Sequence, residues 1–303
     1  MRILAVFITL LLLTAIPASL FSLPYGTLQT DEVIVRFEEP LRPSAGEILD
    51  VYPSVKEELI RRLGIDLDFR PEVILVKGGE QFRRMAENSR VVAFAAPSQN
   101  LIVIDHSKMH VHPFTLAVTL KHELCHLQLH RYVGEGELPR WLDEGLCQWV
   151  TGGVAEIMDH GTPSDLRKAV LAKRIIGIDA LKERFPEKGE AFSLAYEESK
   201  SIVEYLVKEY GITGVLDIMR YLRDGSDIDS AVEKGLTISL SELEERWKAH
   251  LAERASWLAY FSEYLYELLF LAAALITIYG FIRVIQKKRE YRDDEEDPEL
   301  PGS

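Results

Sequence analysis

The chain has 303 residues, 47% hydrophobic and 27% charged, which excludes a disordered or collagen-like polymer and fits one medium domain or two small ones. Lys and Arg total 35 against 48 Asp and Glu, a formal charge of −13 that argues against a nucleic-acid backbone as partner. Two cysteines are too few for a disulfide-stapled scaffold or a cysteine-built zinc finger, so any metal would be held mainly by His and carboxylates.

The chain opens with Met1 and Arg2, then an apolar run over 3–23 with Pro17 and small residues near Ala18 and Ser22. That pattern matches a secretory signal peptide over 1–23, with an uncleaved anchor as the alternative. A strand is expected over 31–37 from its β-branched alternation, and a helix over 46–64 that Gly64 stops. A second strand (71–78) and a short helix (81–89) follow. RVVAFAA (90–96) and NLIVID (100–105) read as a hairpin around Pro97-Ser98-Gln99. After Pro113 the chain turns helical, over 113–132, 139–152, 163–174, 192–210, 212–223 and 239–256. The fold class is α+β: a small mixed-sheet subdomain (24–112) followed by a mainly helical one (113–260).

Near the C-terminus, 268–282 carries no charge, and Tyr264 through Ile285 is long enough for a transmembrane helix. Tyr264, Tyr266 and Tyr279 suit its interfaces. Arg283, Lys287, Lys288, Arg289 and Arg292 follow at once, and a basic cluster beyond a span marks the cytoplasmic side. A buried amphipathic helix is the competing reading. The tail, 286–303, would be cytoplasmic, and its acidic end, 293–303, disordered. These features describe a single-pass cell-membrane protein with residues 24–260 outside the cytoplasm.

The segment that carries chemistry is His122-Glu123-Leu124-Cys125-His126. Positions i and i+4 of a helix share a face, so both imidazoles can reach one metal ion, while Glu123 beside them can reach the metal's water without ligating. Among 8 histidines and 48 acidic residues, chance yields such a pattern only roughly 0.03 times per chain. Leu116, Leu120, Leu124 and Leu127 line the opposite face. Gly134 and Gly136 make a turn, and Pro139 opens a second helix. The interval to Glu144 lets that helix return antiparallel, bringing Glu144 towards His122 and His126. Two His and one Glu form a catalytic zinc set with a fourth position open for water.

HELCH followed by WLDEGLCQW resembles the gluzincin metallopeptidases, most closely the peptidase MA-like family of secreted or membrane-attached enzymes. The resemblance spans roughly residues 31–223 and is specific at 122–126, 141–149 and, less so, 193–211. It implies a zincin-like fold, zinc held by His122, His126 and Glu144, and Glu123 as general base. Ser193-Leu194-Ala195-Tyr196-Glu197-Glu198-Ser199 is similar to a family helix whose tyrosine hydrogen-bonds the oxyanion, a role the resemblance gives to Tyr196; a core tyrosine is the alternative. Cys125 and Cys147 stand where the family commonly has small residues at the contact of the two ligand helices, as a disulfide or as buried thiols. The Gly-x-Met-Glu-Asn substrate strand of the aminopeptidase N group is absent from the sequence. Gln148, four beyond the ligand Glu, is the expected partner for a zinc-bound imidazole, with Asp143 the alternative. His106, His110, His112, His130, His160 and His250 read as surface or capping residues, and Trp141 and Trp149 as core anchors.

The implied activity is hydrolysis of a peptide or unfolded protein segment outside the cytoplasm, its backbone pairing with the NLIVID strand as the sheet rim. The competing class is a non-catalytic, membrane-tethered binding module in which zinc only staples two helices; hydrolysis of a non-peptide amide is a third.

Overall fold

The computed structural model describes residues 25–86, 91–109, 114–153, 166–186, 189–255 and 264–295, with side chains up to 288. The signal-peptide segment, Pro113, His110, His112, His160 and the end of the acidic tail lie outside the described residues. The chain divides into two units, Met1–Trp247 and Lys248–Ser303.

The first unit starts with a five-stranded mixed sheet in the order β1-β2-β3-β5-β4. Its strands are β1 (Tyr25–Gln29), β2 (Ile34–Glu38), β3 (Glu72–Val76), β4 (Ala93–Ala96) and β5 (Leu101–Asp105). β2, β3 and β5 run parallel, while β1 and β4 are antiparallel edges. The expectation for 31–37 captured β2 but not β1, whose mixed sequence YGTLQ carries little alternation. NLIVID is not the rim. All five residues of β5 are buried between β3 and β4, as its unbroken apolar run requires of a strand covered on both faces. The rim is β4.

Helix α1 (Arg42–Leu63) crosses from β2 to β3 and buries Ala45, Ile48, Tyr52, Val55, Leu59 and Leu63, the spacing of a single apolar stripe. It begins four residues earlier than expected because Pro43 is tolerated in the first turn. It ends at Gly64, left-handed at φ 67°, whose N–H bonds back to the Ile60 carbonyl. Helix α2 (Glu80–Met85) lies beside the β3–β5 side of the sheet.

The helical part comprises α3 (Leu116–Val133), α4 (Arg140–Thr151), α5 (Leu166–Leu171), α6 (Glu190–Arg223), α7 (Ile228–Leu236) and α8 (Leu240–Arg254). Thr115 caps α3 by accepting from the Val118 N–H. The apolar stripe expected on α3 is too narrow: every residue from His122 to Leu129 is buried, because α3 is packed by α1, the sheet, α4 and α6. Gly211 (φ 70°) kinks α6 between its two halves, matching the break expected between 210 and 212. Trp141 is fully buried, while Trp149 is half-buried under the Arg62 guanidinium.

In the second unit, α9 (Leu265–Glu295) includes Leu265–Lys288, the single helix among the described residues long and apolar enough to cross a membrane. None of its most apolar window is buried among the described residues.

Candidate metal centre and active site

Helix α3 turns His122 and His126 to one side, and α4 returns across it to bring in Glu144. Both rings and the carboxylate are buried, with ligand atoms all within 4.8 Å of one another. Nε2 of His122 and Nε2 of His126 are 3.2 Å apart. Glu144 Oε2 lies 3.9 Å from the first and 3.7 Å from the second. A tetrahedral zinc with bonds of about 2.1 Å spaces its ligand atoms by about 3.4 Å, and two imidazoles with one carboxylate are zinc donors. The residues fit the ion.

The imidazole of His126 is fixed from its other side. Its Nδ1 is 2.8 Å from Asp143 Oδ1, and Asp143 Oδ2 is 3.1 Å from Nε2 of His130. Burial pushes the Asp143 carboxyl up, but the neighbouring His126 and then His130 outweigh it and hold it well below the usual carboxylate range. The partner of His126 is therefore Asp143 rather than Gln148, which is buried further along α4. His130, expected as a surface or capping residue, belongs to this network and lines the cleft.

Glu123 is fully buried from solvent-exposed surface yet lines the same cavity as His126, Glu144 and Tyr196. The cavity has a volume of about 650 Å³. Its lining includes Ala95 through Gln99, from β4 and the turn that follows, together with Arg140, Asp143 and Glu183. Tyr196, on α6, directs its hydroxyl to Glu144 Oε1 at 3.4 Å. Its ring is met edge-on by Phe185 and Phe192, at centroid distances of 5.0 and 5.3 Å. Arg140 was missed from sequence; its Nη2 is 3.5 Å from Glu144 Oε1, and its place four residues before Glu144 was the available signal.

Cys125 and Cys147 are both fully buried and reduced. Burial first, then a hydrogen bond and charge from Cys125, pushes the Cys147 thiol well above its ordinary value. Its Sγ is 3.5 Å from Nδ1 of His126, so the two thiols fill the α3–α4 contact directly behind the metal-facing side of that ring.

No curated protein matches the chain. Among solved structures it is similar to yeast LTA4 hydrolase (12% identity, TM-score 0.46, covering 77% of this chain and 39% of that one). It is also similar to an M1 zinc metallopeptidase from Deinococcus radiodurans (12%, TM-score 0.42, covering 73% and 50%). A third is Legionella pneumophila aminopeptidase A (14%, TM-score 0.41, covering 74% and 27%). The chain thus spans half or less of the length of these structures. The model of the Peptidase MA superfamily matches residues 84–253, more than half of the chain and the whole of the ligand-bearing region, and the chain belongs to that superfamily.

Proposed function

We propose that the protein is a membrane-anchored zinc metallopeptidase of the gluzincin type that hydrolyses peptide bonds outside the cytoplasm. The observation that carries this reading is the convergence of His122, His126 and Glu144, with Glu123 lining the same cavity. When bound, zinc supplies Lewis acidity to the scissile carbonyl and to the attacking water. Glu123 takes the proton of that water as the carbonyl is attacked and delivers it to the leaving amine. Asp143 holds the His126 ring in the tautomer that leaves Nε2 as a lone-pair donor. Tyr196 donates a hydrogen bond to the carbonyl oxygen as negative charge develops there, a contact worth about 3 kcal/mol.

The edge strand β4 faces the cavity with Ala95 and Ala96, small residues that let an extended substrate backbone approach and pair with the free strand edge. Residues 264–285 would cross the bilayer, with Arg283 in the last turn at the cytoplasmic end and Lys287 and Lys288 just beyond it. Residues 24–260, divided near 112 into sheet and helical parts, would lie outside the cytoplasm.

The test uses the full-length chain in detergent. Glu123→Gln should keep about one zinc per chain while hydrolysis of unfolded casein disappears; Glu144→Ala should lose most of the zinc. Undiminished hydrolysis by the Glu123→Gln protein would overturn the assignment of the base and leave the site a zinc staple.

A further inference from the structure

The Glu144 carboxylate has two unlike sides. Oε2 faces the imidazoles, whereas Oε1 faces two donors, the Tyr196 hydroxyl at 3.4 Å and Nη2 of Arg140 at 3.5 Å. Arg140 lies one turn before Glu144 on the same helix, the i,i+4 setting that brings side chains together. Its guanidinium rests on the Phe185 ring, 4.9 Å from the centroid. Phe185 also meets the Tyr196 ring. One aromatic residue therefore braces both donors against the same oxygen.

A carboxylate can bind a divalent cation through one oxygen or through both. The second oxygen would take up coordination space that hydrolysis needs for solvent. We propose that Arg140 is a positioning residue, acting with Tyr196, that holds Oε1 of Glu144 away from the metal so that only Oε2 ligates. This rests on the zinc reading above. The Tyr196 hydroxyl has a single proton to donate, so when it serves the substrate's carbonyl oxygen the hold on Oε1 passes to Arg140. Arginine suits that duty: it stays charged at all working pH values and its fork of donors is rigid. A bond from a charged donor is also stronger than one from a neutral hydroxyl.

The test replaces zinc by cobalt(II) in the full-length chain in detergent and reads visible absorption per bound cobalt. The wild-type protein should give the strong bands of a low-coordinate site. Arg140→Gln should weaken them, and Arg140→Gln with Tyr196→Phe should cut them by about half or more as coordination expands. Cobalt affinity, measured by chelator competition, should stay within about threefold in both, because the ligand set is intact. Arg140→Lys should recover most of the Arg140→Gln loss. A wild-type spectrum in the double variant would overturn the proposal. So would lower cobalt content and lower melting temperature with the spectrum per bound cobalt unchanged, the signature of a merely structural ion pair. Cobalt uptake that survives Glu144→Ala undiminished would instead overturn the zinc reading itself, and this proposal with it.

Discussion

Gly145 follows the candidate ligand Glu144, and the structure gives its substitution a definite cost. A Cβ at this position would sit 2.4 Å from the Ser199 carbonyl oxygen, 2.7 Å from Val203 Cγ2 and 2.9 Å from the Ser199 carbonyl carbon. Two of these three atoms are main chain of α6, which cannot swing aside as a side-chain tip can. Forcing an extra carbon into a filled interior costs about 1–3 kcal/mol, and backbone obstruction places this site near the upper end. Alanine's better helix propensity offsets about 1 kcal/mol. Gly145→Ala should therefore destabilise the protein by about 2 kcal/mol, lowering the melting temperature by about 3–4 °C for a chain of this size. Gly46 is the control: it lies inside α1 with nothing within 4 Å of the added carbon. Gly46→Ala should stabilise by about 1 kcal/mol. Far-ultraviolet circular dichroism of thermal unfolding reads both. If Gly145→Ala melts at or above the wild-type temperature, α4 and α6 are not packed as described and the seat of Glu144 must be redrawn.

Two other substitutions probe the surroundings of the site. Asp143→Asn removes the carboxylate shared by His126 and His130, and zinc affinity in a chelator competition should fall about 10–100-fold; unchanged affinity would mean that Asp143 does not orient the ring. A chain ending at Ala255 should move from the membrane pellet to the soluble fraction after alkaline extraction, since it lacks α9. Retention in the pellet would shift the anchor to the N-terminal apolar run.

What the sequence disclosed depended on how local each interaction is. His122 and His126 are legible because one helical turn relates them, and Glu144 because a second helix only needs to return antiparallel. Asp143 is offset from Glu144 by one residue, about 100° around α4, which on helix geometry alone argues against both serving one ring. That argument overlooked the imidazole, whose two nitrogens look in different directions. Glu144 approaches Nε2 of His126 while its neighbour Asp143 bonds Nδ1, so adjacent residues serve opposite sides of one ring. The exchange of β5 for β4 as the rim has a similar origin. LIVID is apolar at four of five positions and is buried throughout, whereas the alanine-rich AFAA sits at the margin; hydropathy marks the interior strand, and the open edge is marked only by small residues. β1 pairs with its neighbour β2 across a short turn, but its mixed residues YGTLQ left no periodic trace.

The way the site is built also decides what loss of metal should do. His122 and His126 lie in a helix buried on nearly every face, and Glu144 lies in a helix packed between α3 and α6. Both helices are held by apolar contacts, including Leu120, Leu124, Trp141 and Leu146, each fully buried. A small zinc domain without such a core unfolds when its ion is removed. Here the apolar contacts remain, so the metal-free chain should stay folded at 25 °C. Zinc should then act as a ligand of the native state, adding about 2.7 kcal/mol of stability at a free concentration of 100 times its dissociation constant. Chelation should lower the melting temperature by about 4–6 °C for a chain of this size while leaving the helical signal at 25 °C unchanged. Collapse of that signal on chelation would show that the ion organises α3 and α4, rather than occupying a site that their packing has already formed.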